Sequence, residues 1–127
     1  MRKIFSLSLV LLAALAAVNC AHTPYPAVDT VYSYNRPYDF TYLAVLNAVE
    51  HLPDWKLSRT EKESGTITLH NTKYWDAFDA DKREAIILVT RVDAKTTTVQ
   101  FDPQSQKVVG GKDIMNEIDK GLKNFRQ

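Results

Sequence analysis

Cysteine is scarce in this sequence of 127 residues, with a single instance at Cys20. One thiol cannot close a disulfide within the chain, so a stable fold must rest on an apolar core. An excess of one charge is missing too, since 16 Lys and Arg stand against 15 Asp and Glu. Arg2 and Lys3 are the only charged residues among the first nineteen, so residues 20–127 hold fourteen basic and fifteen acidic groups. That balance excludes the basic field by which nucleic acid is held.

The patterns of common reactive centres are also lacking. No Gly-x-Ser-x-Gly elbow is present, and Ser58, Ser64 and Ser105 fall in strand or turn contexts. The stretch Val109-Gly-Gly-Lys-Asp113 has neither the length nor the spacing of a phosphate loop, and its glycines read as the turn into a helix. His22, His51 and His70 are scattered, without the close ligand pair a metal centre uses. Asp76, Asp79, Asp81 and Glu84 cluster around Trp75 and Phe78. Counted from Asp79, position six of a calcium loop is Glu84 and position twelve is Thr90, where glycine and glutamate are required. The expectation is no metal, no cofactor, no nucleic-acid partner and no catalysis.

What is present begins at the N-terminus. Two basic residues precede an uncharged run from Ile4 to Val18, fifteen residues long, which ends among Ala13, Ala14, Ala16 and Ala17. These are the three parts of an export signal. A membrane-spanning helix needs roughly 20 apolar residues, and this run falls short of that. At its end stands Ala17-Val18-Asn19-Cys20, which resembles the lipobox of bacterial lipoproteins, with Asn19 in place of the usual small residue. The resemblance implies removal of residues 1–19 and acylation of Cys20. Several acyl chains anchor stably where one does not. Ala21, in the position where an Asp retains such proteins in the inner membrane, points to the outer membrane, facing the periplasm.

Residues 20–30, with Pro24 and Pro26, read as a tether, and residues 31–127 as one domain. Val31 to Tyr34 alternates as a first strand. From Asp39 to Leu52, Leu43, Leu46, Val49 and Leu52 recur at spacings of three beside Ala44 and Ala48, which predicts a helix capped by Asp39 or Thr41 and stopped by Pro53. The period then falls to two. Trp55 and Leu57 alternate with Lys56 and Ser58, Glu63-Ser-Gly65 turns, and Ile67 and Leu69 alternate in a second strand of the hairpin. Residues 85–92 are apolar on both faces and suit a central strand. Thr97, Val99 and Phe101 form its partner, closed by Pro103, and Asp113 to Phe125 carries Ile114, Ile118, Leu122 and Phe125 on one helical face. The order β-α-β-β-β-β-α predicts an α+β fold: an antiparallel sheet of four to five strands with two helices packed on one face.

The run from Asp39 to Leu57, followed by Thr60-Glu-Lys-Glu-Ser-Gly-Thr-Ile67, is similar to a pattern of small bacterial envelope lipoproteins. These resemble the domains of the C lipoprotein of the outer-membrane β-barrel assembly machinery. The resemblance implies the fold over roughly residues 30 to 125 and supplies no catalytic residues. Tyr25, Tyr32, Tyr34, Tyr38, Phe40 and Tyr42 fall within eighteen residues, and tyrosines with an apolar body and a polar tip suit partner proteins or sugars. Tyr32, Tyr34, Tyr38 and Tyr42, with Trp75 and Phe78, are the expected binding surface. The expected activity is that of a non-catalytic, membrane-anchored lipoprotein binding or positioning an envelope protein. A ligand-binding module, holding an apolar or glycan ligand between sheet and helices, is the alternative.

Overall fold

The computed structural model describes residues 27–74 and 80–125. It shows the α+β fold: β1 (Tyr32–Tyr34), α1 (Tyr38–Glu50), β2 (Trp55–Glu61), β3 (Thr66–Asn71), β4 (Glu84–Arg91), β5 (Thr97–Phe101) and α2 (Gly111–Asn124). A single helical turn, Ala80–Arg83, precedes β4, and a 3-10 turn, Pro103–Ser105, follows β5. The sheet has five strands in the order β1-β5-β4-β3-β2, and every neighbouring pair is antiparallel. β4 is central, as its two apolar faces require.

Period-two alternation sorts each strand into a face under the helices and a face open to solvent. Ile67, Leu69, Ala85, Ile87, Val89, Val99 and Phe101 are buried beneath the helices, while Ile86 and Leu88 lie half-buried on the other side. β2 breaks this alternation, because its register with β3 shifts between Leu57 and Arg59. The extra residue, Ser58, forms a bulge that brings Thr60 opposite the buried Ile67 and leaves Arg59 and Glu61 opposite Thr68 and Thr66. An unbroken alternation would instead have turned both charges toward the helix layer. Arg59 and Glu61 form an ion pair outside it.

The helices differ from expectation in their details. Pro37, extended at φ −60° and ψ 152°, caps α1 through its backbone, so neither Asp39 nor Thr41 is the cap. Both lie within the first turn, where Asp39 pairs with Lys62 at 2.8 Å. The buried face of α1 is Phe40, Thr41, Tyr42, Ala44, Val45, Ala48 and Val49, whereas Leu43 is 51% exposed. Steps of three residues drift round a helix of 3.6 residues per turn, and the row of small residues faces inward instead. The reason is α2: a Cβ added to Gly121 would come within 2.6 Å of the Ala48 Cβ. Gly121 therefore lets the two helices approach each other, rather than bringing α2 closer to the sheet. α2 buries Ile114, Met115, Ile118 and Leu122, and Phe125 beyond its end meets Phe40 edge-on at 5.2 Å between ring centres.

The β2–β3 turn depends on Gly65, which has a φ of 73°. Its carbonyl accepts a hydrogen bond from the Val89 N–H at 2.8 Å, and a Cβ there would lie 1.9 Å from the Val89 carbonyl oxygen. No other residue type fits without moving the strand.

Candidate functional site

The expected binding residues do not form one exposed patch. Cys20, Trp75 and Phe78 lie outside the described residues. Tyr42 is 2% exposed and belongs to the core, which corrects its place in the expected surface. It is on the inward side of α1, a position the spacing of the leucines had disguised. Its hydroxyl makes no hydrogen bond among the described residues. Burial pushes its pKa up, while the Thr60 hydroxyl beside it, outside hydrogen-bond geometry, draws the other way.

Tyr32, Tyr34 and Tyr38 are half-buried against the core. Tyr32 and Tyr34 share a strand face as alternation demands, and it is the face beneath the helices, opposite Val99 and Thr97 of β5. The Tyr34 hydroxyl donates to Asp119 Oδ1 of α2 at 3.1 Å. Burial first, and then the Asp119 charge, raise the Tyr34 pKa far above its ordinary value. Asp119 is held from its other oxygen by Lys123 at 2.6 Å. Tyr38 donates to the Lys62 carbonyl, stacks under the Arg91 guanidinium at 5.2 Å and tilts against Tyr42 at 5.8 Å. These rings tie elements together before they offer anything to a partner.

A distinct hollow lies elsewhere. A groove of about 620 Å³ opens where α1 ends and the chain turns into β2, and the exposed side of α2 forms its other wall. One wall carries His51, Asp54 and Trp55; the other carries Asp113, Asn116, Glu117, Asp119 and Lys120. Asp54 sits at φ 63°, a left-handed backbone that Asp tolerates better than most residues. Its carbonyl accepts from the Thr72 N–H at 2.7 Å and its carboxylate pairs with Lys73 at 2.7 Å, which fastens the turn to the end of β3. His51 donates from Nδ1 to the Asn47 carbonyl at 2.8 Å. Trp55, also in the lining, is 8% exposed.

Most of the groove's carboxylates are already paired: Asp54 with Lys73, Glu117 with Lys120 and Asp119 with Lys123. Among the described residues no group of His, Cys, Asp and Glu is placed to hold a metal ion. Neither serine nor cysteine lines the groove beside His51. Amide, imidazole and carboxylate groups along the groove can hydrogen-bond a polar ligand. The space between sheet and helices, where a ligand was expected in the alternative, is filled by residues such as Val45, Val49, Ile87, Phe101 and Ile118, all buried. Sequence reasoning followed the apolar face of α2 and passed over the polar row 113, 116, 117 and 120, whose helical spacing marks a shared wall.

Ala27 and Val28 begin the described chain beside the N-terminal end of α2, where Val28 donates its N–H to the Gln106 carbonyl at 2.7 Å. No described helix is long and apolar enough to cross a membrane. No family model matches this chain, and no curated protein is significantly similar to it.

Proposed function

We propose that this chain is a bacterial envelope lipoprotein, held in the outer membrane by acylated Cys20 and facing the periplasm, whose domain binds or positions another envelope protein without chemistry of its own. One observation carries the reading: the only cysteine of the chain stands where a leader-like apolar run ends. A lone thiol exported with no partner is a poor use of cysteine, whereas lipid attachment needs one. Tyr32 and Tyr38, half-buried at the margins of the core, give the domain amphipathic rings of the kind partner surfaces favour. The similarity to the C lipoprotein of the β-barrel assembly machinery belongs to this proposal and supports an envelope protein as the partner. In-cell crosslinking followed by purification should return one envelope protein repeatedly; repeated recovery of none would count against it.

The groove favours a second reading, a module for a glycan. Its amide, imidazole and carboxylate groups beside Trp55 suit a sugar better than an apolar ligand. Titration of the protein with peptidoglycan fragments tests it, with quenching of tryptophan fluorescence that Trp55→Phe abolishes as the expected result.

A further inference from the structure

We infer that the β2 edge of the sheet is a docking surface for a second copy of this chain, joined antiparallel so that two five-stranded sheets run on as one. The inference stands on the fold and is independent of the lipid anchor. β2 is the last strand of the sheet, and its outer side pairs with no other strand among the described residues. It is also the longer of the two edges, seven residues against the three of β1. Such an edge is a ready template for another strand.

The side chains of β2 fit their own two-fold image. Lys56 and Glu61 are five positions apart, which in a regular strand would put them on opposite faces. The Ser58 bulge removes that mismatch: Lys56 lies opposite His70 and Glu61 opposite Thr66, both on the open face of the sheet. An antiparallel pairing centred between Ser58 and Arg59 then sets Lys56 against Glu61 of the second copy, twice over, and Leu57 against Thr60 on the helix side. Opposite charges directly across two strands favour that register over its neighbours.

The same edge shows apolar surface that the fold leaves uncovered. Leu57 of β2 is 41% exposed. A two-fold axis normal to the sheet would bring the helix layers of both copies to the same side, with Leu57 buried at the seam. At the opposite edge, by contrast, Tyr32 and Tyr34 turn inward.

The polypeptide mass of the full chain, purified with detergent present throughout, measures the association across a concentration series. A dimer is expected, weakened at least tenfold by Lys56→Glu and by Glu61→Lys, with the double swap K56E/E61K restoring it. Circular dichroism of each variant separates lost pairing from lost folding. In cells, a Leu57→Cys/Thr60→Cys variant should yield a crosslinked species of twice the mass. A monomer at every concentration, a double swap no better than either single change, or a crosslink to a different protein overturns the inference.

Discussion

Exchanging the residues at the helix crossing, Gly121→Ala with Ala48→Gly, tests whether close approach of α1 and α2 organises the fold. Gly121 lies inside α2, so propensity alone predicts that alanine stabilises it by about 1 kcal/mol. The geometry opposes this, because the new Cβ would meet the Ala48 Cβ at 2.6 Å, and overpacking of this kind costs about 1 to 3 kcal/mol. The single variant G121A should therefore be no more stable than the parent, and up to about 2 kcal/mol less stable. Ala48→Gly loses about 1 kcal/mol of propensity and nearly as much again for a buried methyl. In the double variant one methyl has moved across the same crossing, so propensity and burial cancel and the collision is gone. It should unfold within about 1 kcal/mol of the parent, a coupling of about 2 to 4 kcal/mol. Urea denaturation followed by circular dichroism measures all four proteins. A stabilised G121A, or a double variant equal to the sum of the singles, would refute the packing argument.

Three further expectations follow from particular contacts. Gly65→Ala must hold a left-handed backbone and displace the Val89 carbonyl, so a loss of at least about 2 kcal/mol in the same denaturation assay is expected; an unchanged midpoint would contradict it. Tyr42→Phe removes a buried hydroxyl that has no partner among the described residues, so stability should hold within about 0.5 kcal/mol or rise, and a loss above about 1 kcal/mol would show that the hydroxyl is satisfied. Tyr34 holds its proton well above its ordinary value of 10.0. An unfolded tyrosine ionises near pH 10 while the folded one does not, so stability falls as pH rises past that point; Tyr34→Phe should flatten the decline, and parallel curves would refute the pairing with Asp119.

The fold was legible wherever local pattern and tertiary environment agree. Period two marked β3 and β5, a run apolar on both faces marked β4, and the row Ile114, Ile118, Leu122 marked the inward face of α2, because each burial follows from a single element's own geometry. The face of α1 was harder to read. Leucines are larger than alanines and dominate a reading of spacing, yet the crossing with Gly121 selects the small residues, and that choice depends on an element seventy residues away. The same long-range dependence put Tyr42 in the core. Tyr34 looked like surface until α2 brought Asp119 to it. The groove at the start of β2 was illegible for the same reason: its walls come from residues 51–55 and 113–120, and neither stretch alone carries a recognisable motif. The Ser58 bulge had a trace in the sequence, since alternation lapses after Leu57, but only pairing with β3 shows where the phase changes.

The central claim concerns Cys20, and intact-mass measurement of protein extracted from membranes tests it most directly. The account predicts a chain beginning at Cys20, without residues 1–19, carrying the added mass of acyl groups. A chain with an unmodified thiol would contradict it, whether the leader is retained or cut elsewhere.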